Sequence, residues 1–326
     1  MLTTLERCFQ VLAAVYYGIL ISLHLTLLLL MLYITFFTKY WYIILVLVLW
    51  TWFDKETPFK GGRRLWICGA IPILRYLRDY FPVTLIKTAE LDPNRNYMFC
   101  NHPHGFFSTG IFVNFLTQFS PKNQLFPNLK FYLAAVDSHL TFPLLRDLFL
   151  GFGFISSSKR SLAFLLNNTK KGNVVNLNVG GGEEIIYSIP GQYKLILKRR
   201  KGFIKLALNL GCCLVPVIHF GLNDIYEVLK PIPGTILYKL LQVLKHMTGM
   251  VIALPVGDYG IPCIPKRRPI TTIVGKPVEI PKIEEPTQEQ IDYYHTLYTE
   301  ELMKLFEEEK HKYVKDSENV HLVVEE

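Results

Sequence analysis

Charge is scarce in this chain. Asp, Glu, Lys and Arg make up 19% of its 326 residues against 50% hydrophobic residues, and the mean hydropathy is +0.25. That balance excludes a disordered, charge-rich chain and departs from an ordinary soluble enzyme, so it predicts contact with a membrane. Paired cysteines are lacking too: Cys8, Cys68, Cys100, Cys212, Cys213 and Cys263 form no CxxC and show neither disulfide nor zinc spacing. Reduced, structural thiols are the reading that remains. A GxSxG nucleophile elbow and a P-loop are both missing, and "GFGFIS" from Gly151 lacks the third glycine of a dinucleotide fingerprint. No internal repeat or low-complexity tract occurs. The net charge of +8 comes with no recognised nucleic-acid module, which disfavours nucleic acid and leaves an anionic membrane surface or a phosphorylated substrate.

Long apolar runs are present, and they are concentrated at the start. From Phe9 to Phe37 no residue carries a formal charge, and the run exceeds the roughly 20 residues needed to cross a bilayer core. A signal peptide is disfavoured because no basic segment precedes the run and no small-residue cleavage site follows it. A second run, Tyr40 to Phe53, is shorter and bears Trp and Tyr at both ends, as suits a membrane interface. Together they predict a membrane hairpin over residues 1–53. Lys55, Lys60, Arg63, Arg64, Arg75, Arg78 and Lys87 follow it, and the positive-inside rule puts the remaining domain, 54–326, in the cytosol against the membrane. His24, inside the first run, reads either as a functional intramembrane group or as a ring that faces a neighbouring helix.

Beyond Asp54 the pattern changes to short apolar strands, helical periodicity and Gly or Pro breaks. "NYMFCNHPHG" reads as a buried strand ending in a turn, and "FFSTGIFVNFLTQF" as the helix after it. "LKFYLAAV", "NVVNLNVGGG" and "CCLVPVIHFG" read as further strands; "PLLRDLFLGFG", "SLAFLLNNTKKG" and "KGFIKLALNLG" read as helices. A charged helix with an apolar stripe is expected from Thr287, ahead of a polar end. Alternation of this kind indicates an α/β domain with a largely parallel sheet, whose ligands sit beyond the carboxyl ends of the strands.

Three stretches can carry chemistry at that edge. "HPHG" delivers His102 and His104 to a turn before a helix, which suits a general base beside free backbone N–H groups. Satisfied turn histidines, or a zinc pair still short of a third ligand, are the alternatives. "VGGGEE", Val179 to Glu184, allows close backbone approach to a ligand and adds a carboxylate; a tight turn alone would also explain its glycines. The cluster Lys198, Arg199, Arg200, Lys201 and Lys205 is either a solvated or membrane-facing patch or a phosphate site.

Taken as a set, "YFP" at Tyr80, "HPHG", "VGG" with Glu184, "RKGFIKLAL" through "LVP" to "FG", "RRPITTIVGKPVEIPK" and the "PTQEQIDYYHTLYTEELMKLFEEEKHKY" tail resemble the type 2 diacylglycerol acyltransferase family, which includes monoacylglycerol and wax alcohol acyltransferases. The resemblance implies a glycerolipid-acyltransferase-like α/β fold, a largely parallel sheet flanked by helices with an N-terminal membrane hairpin. It implies an enzyme of the endoplasmic reticulum membrane and lipid droplet surface, moving a fatty acyl group from acyl-CoA, its co-substrate, to a glyceride or long-chain alcohol. No bound cofactor or metal is implied; self-association is left open. His102 is then the expected base, with His104 and Glu184 supporting it and Glu184 fixing the tautomer of His102. The opposite assignment of the two rings stays open. Gly105 and Phe106 would supply oxyanion N–H groups, and Gly180, Gly181, Lys198, Arg199, Arg200, Lys201 and Lys205 would bind acyl-CoA. The chain departs from the wider glycerolipid pattern "NHxxxxD", since Phe107 stands where the Asp would be. It also departs from many members in "GGGEE" and in a shorter loop at 255–265.

Overall fold

Burial of strand β2 (Tyr97–His102) on both faces organises the protein. A computed structural model describes residues 3–167, 171–229, 232–248, 254–261 and 264–325. Cys263, the Asn167–Thr169 sequon beyond Asn167, and residues 262 and 263 of the 255–265 loop lie outside the described residues. The other strands are β1 (Val83–Lys87), β3 (Lys130–Ala135), β4 (Phe154–Ser156), β5 (Asn173–Asn178), β6 (Tyr193–Ile196), β7 (Cys213–Phe220), β8 (Glu227–Leu229), β9 (Leu254–Val256), β10 (Ile270–Val274) and β11 (Leu322–Glu325). Seven of them form one sheet in the order β1-β10-β7-β2-β5-β3-β4.

From β7 to β4 every pairing is parallel; β10 runs antiparallel to β7 and carries β1 parallel to itself. The expected largely parallel sheet is therefore present. Alternate β2 side chains enter opposite cores. Met98 and Cys100 pack with the helices Gly202–Leu210 and Gln288–Tyr313, while Tyr97 and Phe99 pack with Leu74, Leu77 and Phe115. Two buried faces explain why "YMFC" is continuously apolar.

Several local expectations change in the folded chain. The helix expected after the His turn is a single turn, Thr109–Ile111, running into a π-helical Phe112–Leu116. Ser108 is left-handed at φ 53°, so regular helix cannot start earlier, and all five π-helical residues are buried. The "SLAFLLNNTKKG" helix occupies only Lys159–Leu166, capped by Ser158. Thr287 caps the long helix Gln288–Tyr313 through a capping box with Gln290. The polar end beyond it is not loose: β11 pairs in parallel with β6, and buried Lys310 donates to Val320 O at 3.0 Å.

The first apolar run does not form one long helix. It divides at Leu23 into α1 (Thr4–Ser22) and α2 (His24–Phe37), followed by α3 (Trp41–Phe53). Among the described residues no helix is long and apolar enough to cross a membrane, which leaves the hairpin expected from hydropathy unconfirmed. Part of the first run is used by the domain. Ala13, Ala14 and Tyr17 are buried, the Phe9 ring lies 5.2 Å from that of Tyr76, and Tyr17 Oη donates to Phe107 O at 2.9 Å. By contrast α2 and α3 pair with each other and turn apolar side chains outward, with Phe36 and Phe53 each 73% exposed. His24 faces a neighbouring helix, its Nε2 3.2 Å from His139 Nδ1.

A part-buried ionic cluster fastens the foot of α3 to the sheet domain. Arg63 Nη2 donates to Asp54 Oδ2 at 2.7 Å and its Nη1 to Asp147; Trp50 Nε1 donates to Asp147 Oδ1 at 3.2 Å. Arg146, fully buried, donates to Leu140 O and Asp54 O. Its Nη1 lies 2.7 Å from Asp54 Oδ2, close enough for an ion pair though not aligned as a hydrogen bond. Removing Arg146 leaves Leu140 O and Asp54 O without this donor and empties a buried site, while Asp54 keeps Arg63. Arg146→Ala is expected to destabilise the protein by about 2–5 kcal/mol, read as a lowered thermal midpoint; Arg146→Met, which keeps most of the volume, should lose less.

Candidate active site

The carboxyl ends of β2, β5 and β7 meet where the sheet order leaves β2 between its two parallel neighbours. β2 ends on His102, opposite Ile218 of β7. The turn that follows needs Gly105, at φ +64°, because a Cβ there would sit 2.7 Å from Leu222 Cγ. β5 leads into Val179 and the glycines, and the helical turn Gly182–Tyr187 brings Glu184 back toward the His turn. Gly180 is required for packing, since a Cβ on it would overlap the Glu184 carboxylate.

Within this arrangement His102 is 1% exposed and His104 4%. His104 Nε2 lies 2.8 Å from Gly181 O. A carbonyl can only accept, so that nitrogen carries a proton. Gly181 O also accepts Glu184 N–H at 3.0 Å, which ties the two motifs together. Glu184, itself buried, accepts from His104 N at 3.4 Å and from Ile196 N at 3.3 Å. Its carboxylate thus holds the backbone of His104 and does not set the tautomer of His102, as had been expected. Burial pushes the Glu184 carboxyl above its ordinary range, partly offset by the nearby His104 and these N–H donors.

The His102 ring has a different partner, Tyr298 Oη, 2.9 Å from Nε2. Its Nδ1 is buried and has no hydrogen-bond partner. Burial, with His104 adding to it, holds the His102 imidazole down to about 3; the ring is neutral at physiological pH. No group of three or more His, Cys, Asp or Glu side chains is arranged to hold a metal ion among the described residues.

Next to the glycine turn a cleft of 290 Å³ is lined by Asn178, Val179, Arg199, Arg200, Lys201 and Phe203 among others. Arg199 and Arg200 both reach Glu183 Oε2, at 2.7 and 2.8 Å, and Lys201 reaches Asp292 at 2.7 Å. Arg200 Nε is buried and left without an acceptor. The expected site residues His102, His104, Gly105, Gly180, Gly181 and Glu184 therefore converge, with Arg199, Arg200 and Lys201 alongside. Phe106 is in the same turn, its ring 4.5 Å from that of Phe107. Lys198 and Lys205 are exposed and do not line the cleft.

Sequence reasoning missed a buried row of polar residues behind the His turn. Asn101 Oδ1 meets His219 Nε2 at 3.0 Å, His219 Nδ1 meets Thr272 Oγ1 at 2.9 Å, and Asn114 Nδ2 donates to that hydroxyl at 2.8 Å. Every member is buried. A single assignment satisfies the chain: Nε2–H donates to Asn101, and the Thr272 hydroxyl donates to Nδ1 while accepting from Asn114. His219 sits inside a strand read only as apolar, Thr272 in a segment singled out only for the family resemblance, and Tyr298 in a helical stripe read as packing. A polar residue within a run buried on both faces was the available signal.

Burial, with the two site histidines adding to it, also lowers His219 to about 3. Both imidazoles titrate near 6.5 when unfolded, so the unfolded chain gains protons first as the pH falls. The stability they contribute is fully present above about pH 6.5 and is lost as pH drops toward 3. The thermal midpoint should decline from pH 7.5 to 5, and His219→Gln should flatten that slope.

A family model described as diacylglycerol acyltransferase matches residues 33–325. 2-Acylglycerol O-acyltransferase 1 of Bos taurus is 39% identical over 279 residues, covering 84% of this chain and 83% of its own. Diacylglycerol O-acyltransferase 2 of Dictyostelium discoideum is 40% identical over 277 residues, 84% and 83% of the two chains. Acyl-CoA wax alcohol acyltransferase 2 of Homo sapiens is 38% identical over 289 residues, 86% of each.

Proposed function

The chain belongs to the diacylglycerol acyltransferase family, and from that premise we propose that this acyltransferase carries a fatty acyl group from acyl-CoA to the hydroxyl of a mono- or diacylglycerol, with His102 as general base. The observation that carries the reading is the buried, unpartnered Nδ1 of His102 at the sheet's ligand edge, beside the glycine turn and the basic cleft.

The acceptor hydroxyl gives its proton to His102 Nδ1 as its oxygen bonds to the thioester carbon. The developing oxyanion takes the backbone N–H groups of Gly105 and Phe106, which donate to no protein acceptor among the described residues. Collapse breaks the C–S bond, and the imidazolium returns the proton to sulfur. A thiol titrates near 8.5, far above this buried ring, so that last transfer runs downhill. The weak basicity imposed by burial therefore slows uptake of the proton and favours its release.

Arg199, Arg200 and Lys201 suit the phosphates of CoA, and Arg200 Nε is a buried donor still in want of an acceptor. The outward apolar faces of α2 and α3 suit a lipid surface, which spares the acyl chain a passage through water at about 0.8 kcal/mol per methylene. The family resemblance supports a place at the endoplasmic reticulum membrane and lipid droplet surface, and the basic residues that follow α3 support a sheet domain in the cytosol.

Microsomes given labelled acyl-CoA with monoacylglycerol, diacylglycerol or a long-chain alcohol test the reaction and its acceptor together. Labelled triacylglycerol or diacylglycerol is expected, and His102→Ala should lower transfer by about 10²- to 10⁴-fold. Free fatty acid released regardless of acceptor would mark a hydrolase instead, and preferential wax ester formation would reassign the acceptor.

A further inference from the structure

Resting on that reading of His102, we propose that Tyr298 is a positioning residue for the transfer: its phenol fixes the tautomer and orientation of the His102 ring and so selects Nδ1 as the atom that receives the proton. Tyr298 comes from the far end of the chain, on the helix Gln288–Tyr313, and is 0% exposed. Its Oη lies 2.9 Å from His102 Nε2, with the two ring centroids 6.1 Å apart.

A phenol can donate or accept, and the surroundings choose between the two. Were it to donate to Nε2, the His102 proton would sit on Nδ1, a buried atom with no acceptor. An orphaned buried N–H is rarer in proteins than an empty lone pair. In the other arrangement Nε2–H donates to Oη and the phenol proton is free to turn toward the buried Cys100 sulfur beside it. That leaves the Nδ1 lone pair bare, the form a base requires.

The phenol is itself held from several sides. Phe203 packs edge-on against its ring at 5.2 Å, and one turn earlier His295 Nε2 bonds to Leu197 O at 3.0 Å. Phe203 also lines the basic cleft, so one aromatic contact joins the proposed CoA site to the ring that orients the base. A neutral partner matters in a dry interior, where a carboxylate in the same place would bring its own buried charge.

Steady-state kinetics on microsomal enzyme, with acceptor saturating, separates positioning from mere packing. Tyr298→Phe keeps the ring and removes only the hydroxyl; its kcat should fall about tenfold with KM for acyl-CoA unchanged. Tyr298→3-fluorotyrosine keeps the shape but weakens the oxygen as an acceptor, and its kcat should fall about two- to fourfold. His102→Ala is run beside them. Unchanged kcat in Tyr298→Phe, with His102→Ala inactive, would remove the positioning role and leave the base reading standing. Full activity in His102→Ala would remove the base reading itself. A loss expressed only as a raised KM counts against the proposal, and where Tyr298→Phe accumulates poorly, an unchanged kcat in the fluorotyrosine enzyme does so as well.

Discussion

An imidazole kept neutral at the carboxyl end of the central strand is the constraint on which the other features depend. Burial of His102 disfavours its charged form. Each contact around it is consistent with that. Its partner is a phenol, the neighbouring His104 is held by a carbonyl, and the carboxylate of Glu184 is spent on backbone N–H groups. The sheet order supplies the place, since the glycine turn leaves β5 and the apolar β7 passes on the other side.

The ends of the chain close this site. At the front, Tyr17 of α1 holds the carbonyl of Phe107, whose ring lies 5.3 Å from that of Tyr226. Phe107 stands where the wider glycerolipid pattern has an acid, and here it is a packing and backbone contact. At the back, the carboxyl-terminal segment brings Tyr298 to His102 and His295 to Leu197, and β11 then pairs with β6, whose Ile196 N–H holds Glu184. The outward apolar helices and the His turn are thus joined: α1 continues into α2, and the ionic cluster around Arg146 fixes the foot of α3.

The parallel sheet was legible because "YMFC", "NVVNL" and "CLVPVI" are apolar runs of strand length bounded by turn residues, each followed by helical periodicity. The His turn, the glycine turn and the basic cluster were legible for the same reason: strand ends announce a ligand edge. Other features were hidden by physics that acts at long range. The break at Leu23 carries no proline or glycine, so hydropathy reads straight through it, and the docking of Ala13, Ala14 and Tyr17 on the domain is a long-range contact that no local pattern announces. Tyr298 and His219 are ordinary letters in their own segments. Their roles arise from pairing with residues 196 and 118 positions away. β11 is short, with a polar approach, and exists because β6 offers it an edge.

Direct attack by the acceptor, with no acyl group passing through the protein, is the central chemical claim. Rapid mixing of the enzyme with radiolabelled acyl-CoA in the absence of acceptor tests it, with acid quench and separation of protein-bound label. The account predicts no covalently bound acyl group and no burst of free CoA until acceptor is added. A stoichiometric burst of CoA with label retained on the denatured chain would contradict it.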